Sequence, residues 1–289
     1  MLEQFHPLDK NKVKQAFNAA ADSYDDVAEL QRQVGRQIIE RLQIIKTPFT
    51  RILDIGSGTG YCHELMRPDY PQAEFFSLDL ALEMLKKAKR KRTWYKRWLE
   101  ASRFRKQAYY ICGDTESLPI ANNSVDLIFS NLTLQWVNDF ASTSQELYRI
   151  LRPGGLLMFS SLGPDTLKEL RQSWLAADEN NHVHPFIDMH NLGDMLLQAR
   201  FSDPVMDIDY YTLQYTKVET LMRELKALGA HNAHSHQLQG LTGKSSLAKM
   251  KKAYEQYRQQ DKLPATYEVV FGHAWKGTET ANQINVSLS

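Results

Sequence analysis

The stretch Gly56-Ser-Gly-Thr-Gly60 follows directly on the short β-rich apolar run Arg51-Ile-Leu-Asp-Ile55. A glycine-rich loop between a strand and a helix lets the backbone approach a ligand closely and aims helix N-terminal amides at it. The chain around the loop must therefore run strand, loop, helix, and the same rhythm recurs downstream. Ala73 to Asp79 reads as a strand, Ala81 to Lys89 as a helix, Ala108 to Gly113 and Val125 to Ser130 as strands, and Phe140 to Leu151 as an amphipathic helix. Arg152-Pro-Gly-Gly155 should stop that helix before a buried-type strand from Leu156 to Leu162. Strands alternating with helices predict an α/β fold with a mostly parallel sheet and right-handed crossovers.

Two segments fall outside this rhythm. Asp9 to Ile45 reads as a helical preface, with Leu30, Val34, Ile38, Leu42 and Ile45 spaced by three or four residues on one face. Beyond the fifth expected strand come a helix from Asp165 to about Asp178, a polar loop from Glu179 to His184 and a helix from Asn191 to Ala199. Val205 to Tyr215 and Ala265 to Trp275 look like two late strands. Lys217 to Lys262 between them is helical, with turn signals at Gly229, Gly240 and Gly243, and is long enough to sit outside the sheet as a cap. Without repeats or a low-complexity linker, the expected organisation is residues 1–45 as a helical lid and 46–289 as one domain with a cap insertion at about 217–262.

Charge narrows the partners. Thirty-five Lys and Arg against 34 Asp and Glu leave a net +1, which advertises neither nucleic acid nor anionic membrane, so electrostatic recognition has to be local. Two cysteines, Cys62 and Cys112, build no disulfide framework and read as reduced interior thiols of a cytoplasmic protein. No run of about 18 apolar residues is long enough to span a bilayer.

The glycine spacing is not that of a dinucleotide fingerprint, which wants its third glycine where this chain has Tyr61. Asp54 would repel a pyrophosphate and suits a ligand carrying an ammonium or sulfonium. Asp79, closing the second strand, can accept both hydroxyls of a ribose, and Asp114, after the third, can accept from an adenine amino group. Three acids at three successive strand ends share the carboxyl edge of one sheet, where open α/β sheets bind ligands.

At this point the chain resembles the class I S-adenosylmethionine-dependent methyltransferases. The resemblance is carried by Leu53-Asp-Ile-Gly-Ser-Gly-Thr-Gly60, Leu78-Asp79, Gly113-Asp114-Thr-Glu-Ser-Leu-Pro119, Ser130-Asn131 and Leu151-Arg-Pro-Gly-Gly155. It implies a Rossmann-like seven-stranded sheet with helices on both faces and an antiparallel last strand. It implies S-adenosyl-L-methionine as cofactor, leaving as S-adenosyl-L-homocysteine. Cofactor contacts are then expected from Asp54, Gly56, Ser57, Gly58, Gly60, Asp79, Leu80, Gly113, Asp114, Thr115 and Asn131.

A closer resemblance, to the malonyl-acyl-carrier-protein O-methyltransferases of biotin synthesis, spans nearly the whole chain. It rests on Phe17-Asn-Ala-Ala-Ala-Asp-Ser-Tyr24, Leu30-Gln-Arg-Gln33, Asn131-Leu-Thr-Leu-Gln-Trp136, Glu146-Leu-Tyr-Arg149, Leu225-Lys-Ala-Leu-Gly-Ala230 and Leu263-Pro-Ala-Thr-Tyr-Glu-Val-Val-Phe-Gly272. It implies a malonyl thioester, on acyl carrier protein or coenzyme A, as substrate. Gln135-Trp-Val-Asn-Asp139 and Asp165-Thr-Leu-Lys-Glu-Leu-Arg171 are also similar to methyltransferase-like assembly factors of respiratory complex I. A methyltransferase for another small acid or a quinone precursor is a further alternative.

Methyl transfer to a malonyl carboxylate needs no general base, because the acid is already ionised at neutral pH, and it needs no metal. The protein has to align the reactants and strip water from the carboxylate. Tyr24, Gln135 and Trp136 are the first substrate-side candidates, with Arg171 as a bidentate partner for the free carboxylate. The clusters His182, His184, His190 and His231, His234, His236 lack companions at structural-zinc spacing, and no metal is expected. The basic run from Lys86 to Lys106, interleaved with Trp94, Tyr95, Trp98 and Phe104, is a solvated helix or a docking face for an acidic protein such as acyl carrier protein, or for RNA.

Overall fold

The computed structural model of the chain describes residues 7–91, 108–178, 182–229 and 243–278. It begins with three helices, α1 (Lys10–Ala20), α2 (Tyr24–Val27) and α3 (Glu29–Ile44). The alternation then runs β1 (Arg51–Ile55), α4 (Tyr61–Met66), β2 (Glu74–Asp79), α5 (Leu82–Lys91), β3 (Ala108–Cys112), β4 (Val125–Ser130), α6 (Phe140–Ile150) and β5 (Leu151–Leu162). After α7 (Lys168–Leu175) and α8 (Met189–Gln198) come β6 (Phe201–Tyr215), α9 (Val218–Ala227), α10 (Lys244–Tyr254) and β7 (Leu263–Lys276). The strands form one seven-stranded sheet in the order β3-β2-β1-β4-β5-β7-β6. The first five pair in parallel, whereas β7 runs antiparallel to both neighbours, as the sequence resemblance implies.

Strand alternation divides the core into two layers. Ile52, Phe75, Leu127, Phe129, Met158 and Val269 face one side, against α3, α7 and α10. Leu53, Leu78, Ile128, Leu157, Phe159 and Val270 face the other, against α6 and α8. Both faces of the sheet are covered, which is why its strands read as continuous apolar runs.

Four departures from the sequence reading have identifiable causes or bear on the site. The preface is broken at residues 21–23 and 28. The Asp25 side chain, in α2 between the two breaks, accepts from Thr59 Oγ1 at 2.6 Å and pairs with Lys87 at 3.3 Å and Lys91 at 2.6 Å, so tertiary partners bend what periodicity alone draws straight. Strand β5 starts at Leu151 because Leu151 pairs with Val125 before the register shifts and Leu156 meets Leu127. Arg152-Pro-Gly-Gly155 is thus a bulge within the strand, where Gly154 has φ +77°. Strand β6 begins at Phe201, ahead of Val205. Helix α7 begins at Lys168, because residues 163–167 are stitched to β7 instead: Gly163 and Leu167 donate to the carbonyls of Glu268 and Thr266.

Cys62 is buried but Cys112 is exposed, which corrects its reading as an interior thiol. Among the described residues no helix is long and apolar enough to cross a membrane, and no group of His, Cys, Asp or Glu is arranged to hold a metal. Residues 92–107 of the basic run, and His231, His234, His236 and Gly240 of the cap segment, lie outside the described residues.

Central in the antiparallel half, Gly272 lies opposite Phe159, and a Cβ there would stand 2.4 Å from the Phe159 ring. Gly272→Ala is expected to overpack this layer and cost about 1–3 kcal/mol, read as a lower urea midpoint with an unchanged m value.

Candidate functional site

A cavity of about 310 Å³ opens along the carboxyl edge of the parallel strands. Its floor is the glycine loop, which is pinned to the end of β2. Gly56 and Ser57 donate to the Leu78 carbonyl at 2.8 and 3.1 Å, and Gly58 donates to Asp79 Oδ2 at 2.8 Å. Ala81 N–H occupies the other carboxylate oxygen at 2.8 Å. All three loop glycines have positive φ, but they differ in surroundings. A Cβ on Gly56 would collide with the Thr133 side chain at 2.0 Å, whereas one on Gly58 would meet nothing within 4 Å. At Gly58 the bare backbone faces open cavity, so the absent side chain leaves room for a ligand.

Of the residues read as cofactor contacts, Gly56, Gly58, Asp79, Leu80, Asp114, Thr115 and Asn131 line the cavity; Asp54, Ser57, Gly60 and Gly113 do not. Asp54 is 2% exposed, and its Oδ2 has no hydrogen-bond partner among the described residues. Burial, reinforced by Asp79, pushes its carboxyl well above the usual carboxylate range. Asp54 is thus buried beside the loop and off the cavity lining. Burial also raises Asp79, to about 6, against the opposing pull of the Ala81 and Gly58 N–H groups. Asp114 meets Lys10 Nζ at 3.3 Å, and the same ammonium reaches Glu116 at 2.9 Å. Asn131 is held between the Gln31 carbonyl at 2.9 Å and the Ser160 hydroxyl at 2.9 Å.

Tyr24, Gln135 and Trp136 also line the cavity. Burial and then Asp79 drive the Tyr24 phenol far above its ordinary range, so it acts there as a neutral hydrogen-bonding group. The Gln135 amide donates to the Leu132 carbonyl at 2.8 Å, and its own oxygen is buried without a partner among the described residues. Trp136 meets Phe17 edge-on at 5.4 Å and His184 in parallel at 6.5 Å. Arg171 lies off the cavity, with Nη1 donating to Pro164 O at 2.7 Å and Nη2 to Thr166 O at 3.1 Å. The fork expected to meet a substrate carboxylate instead braces the loop before α7.

Several wall residues were not among the site residues expected from the sequence. Lys10 and Gln31 enter because α1 and α3 fold back over the sheet, while Trp174, His182, Glu224 and Tyr267 close the side over β5 and β7. Glu224 accepts from the Tyr215 hydroxyl at 2.8 Å, and burial raises its carboxyl. These contacts join residues far apart in the chain, so no local pattern announces them.

A family model described as a methyltransferase domain matches residues 53–159. A malonyl-[acyl-carrier protein] O-methyltransferase from Gallionella capsiferriformans is 48% identical over 281 residues, 97% of this chain and 96% of that protein. One from Nitrosospira multiformis is 47% identical over 279 residues, covering 94% and 90%. The chain belongs to the malonyl-[acyl-carrier protein] O-methyltransferase family. The complex I assembly-factor and quinone-precursor alternatives find no support among these relatives. The fold is also that of solved methyltransferase-like structures. The YcgJ protein of Bacillus subtilis matches with a TM-score of 0.56 at 14% identity, covering 84% of this chain and 98% of that one. The [4+2]-cyclase SpnF matches at 0.51 and 19% identity, covering 86% and 81%.

The raised Asp79 acid works in opposite directions on stability and on binding. The folded chain keeps that proton up to about pH 6, while an unfolded one releases it near 4, so the group favours folding below about pH 4 and that contribution is lost as pH rises through 6. Ribose hydroxyls need the ionised acceptor, so affinity for S-adenosylhomocysteine should rise between about pH 5 and 7. Calorimetry is expected to show that rise in the wild type and a weaker, flatter profile in Asp79→Asn.

Proposed function

We propose that this chain transfers a methyl group from S-adenosylmethionine to the free carboxylate of a malonyl thioester, carried by acyl carrier protein or coenzyme A, at an early step of biotin synthesis. The observation that carries the reading is the pairing of Asp79 with the open backbone at Gly58 on one cavity wall. A ribose can reach the carboxylate there with no side chain in its way, and family membership supplies the acceptor.

The cofactor supplies a methyl group on a positively charged sulfur, activated for in-line displacement. Asp79 accepts from the ribose hydroxyls, and Thr115 and Leu80 bound the nucleoside side of the cavity. Asp114, at the end of the third strand, is placed for an adenine amino group, with Lys10 fastening α1 beside it. Tyr24 and Gln135 provide neutral hydrogen bonds over the reacting centre, and Trp136 with Phe17 excludes water. No side chain has to remove a proton, since the acceptor is already an anion.

Of residues 1–45, expected as a lid, those ahead of α3 serve so in this reading, since α3 packs into the main core through Leu30, Val34, Ile38 and Leu42. Leu8, Val13, Phe17, Ala20 and Ala21 pack in two small satellite clusters apart from the main core layers, so covering the cavity is their main contribution. Deleting residues 1–27 is expected to leave a folded protein that retains S-adenosylhomocysteine binding within about tenfold yet loses methyl transfer, because water reaches the carboxylate.

Carrier docking is assigned to the basic surface of α1 and α5, which pack together. Lys12 and Lys14 are exposed on one, and Lys86, Lys89 and Arg90 on the other. An acidic carrier would find complementary charge beside the wall that α1 contributes to the cavity. Purified protein should convert malonyl thioester to its methyl ester and restore growth of a biotin auxotroph; failure in both assays overturns the reading. Replacing Lys12, Lys14 and Lys89 by Glu should raise KM for malonyl-acyl carrier protein and reduce its salt dependence, while malonyl-coenzyme A turns over as before.

A further inference from the structure

We infer that His182, held by Asp178, is the group that receives the free carboxylate of the acceptor. The inference rests on the carboxyl methyl transfer proposed above and adds a residue that selects the substrate. Sheet order divides the cavity. Asp79 and Asp114 follow β2 and β3, so the nucleoside occupies the β3-β2-β1 side and the acceptor is left the side over β4 and β5. That side is walled by Thr166, Leu170, Trp174, His182 and Tyr267. An anion entering so apolar a space needs a charged or hydrogen-bonding partner to replace its water.

Among the described residues, the cationic or imidazole side chains on the wall are Lys10, Lys226, His182 and His184. Lys10 is occupied by Asp114 and Glu116, and Lys226 is exposed to solvent. His184 sits between the rings of Trp136 and Phe186. Arg171 is off the wall, bonded to two carbonyls. His182 is built differently. Its ring lies on the Trp174 indole at 3.8 Å and 15°, and its Nε2 meets Asp178 Oδ1 at 2.8 Å. Asp178 is itself anchored to the end of α7 through its N–H to Trp174 O at 3.0 Å, and the neighbouring Val183 is buried.

Stacking sets the plane of the imidazole and Asp178 sets its rotation, which leaves Nδ1 as the nitrogen for a ligand. Flanked by Asp178 and the substrate carboxylate, the ring donates from both nitrogens, as an imidazolium does. One substrate oxygen is then held while the other stays available to attack the methyl carbon. The methyl ester carries no charge, so the same contact is lost on turnover and the product is released. His182 thereby distinguishes malonyl from neutral acyl groups and from the product.

The test compares wild type, His182→Gln and Asp178→Asn with malonyl-coenzyme A as the varied substrate, alongside calorimetry with S-adenosylhomocysteine and thermal unfolding. Loss of a hydrogen bond to a charged group should raise KM by about tenfold in His182→Gln, with a smaller rise in Asp178→Asn. In both, kcat, cofactor affinity and the unfolding midpoint should stay near wild type. Unchanged KM in both variants overturns the assignment while leaving the functional reading intact. So does a parallel loss of cofactor affinity and stability, which marks His182 as a structural packing residue. Wild-type protein that esterifies no malonyl thioester overturns the functional reading and this inference with it.

Discussion

Asp79 accepts the N–H of Gly58 with one oxygen and the N–H of Ala81 with the other, and the shape of the cavity follows from that clasp. Three consecutive loop amides are fixed to the end of β2, two of them through the Leu78 carbonyl. A loop that carries three positive-φ glycines would otherwise have many conformations of similar energy. The carboxylate gives it one, in which Gly56 packs under Thr133 and Gly58 faces open space. The acid holding the floor in place is thus also the acid that faces a ligand, and burial keeps its proton affinity high until hydrogen-bond donors arrive.

Helices α1 and α2 build the opposite wall with little help from the main core, whereas α3 is part of that core. Their contacts are local fasteners: Lys10 on Asp114 and Glu116, Leu8 on Asn138, Asn18 on Glu83, and Asp25 on Thr59, Lys87 and Lys91. Partly exposed ion pairs and single hydrogen bonds each contribute about 1 kcal/mol or less, so such a wall can open without unfolding the sheet. In the proposed reaction, access and exclusion of water fall to this wall, while ligand placement falls to the edge of the sheet.

Polarity is arranged by side. Acids end β2 and β3, where a nucleoside brings donors, whereas the wall over β5 and β7 is aromatic and aliphatic with isolated polar groups at His182, Glu224 and Tyr267. In the apolar half two of these polar side chains are held by others: His182 by Asp178 and Glu224 by Tyr215. Polar groups surrounded by apolar walls have defined positions only when such partners fix them.

The antiparallel run of the last strand was implied by the family resemblance, while periodicity and punctuation in the chain were enough to read the alternation, the seven strands and the acids at the ends of β2 and β3. These depend on spacing within a few residues, where strand alternation and glycine conformational freedom act directly. The bend at Asp25, the bulge at Arg152-Pro-Gly-Gly155 and the exposure of Cys112 were not readable, since each is set by a neighbour distant in sequence. Arg171 shows the same limit: its guanidinium reaches Pro164 and Thr166 carbonyls that turn inward only because β7 binds the loop through Glu268 and Thr266. Lys10 meets Asp114 across 104 positions, and His182 gains its orientation from the end of α7 and the Trp174 ring. The sequence alone determined where strands end and which acids stand there, because those are consequences of local backbone preference. Tertiary structure alone decided which of those acids face the cavity and which cations are already neutralised, because burial and long-range pairing arise only when distant segments pack.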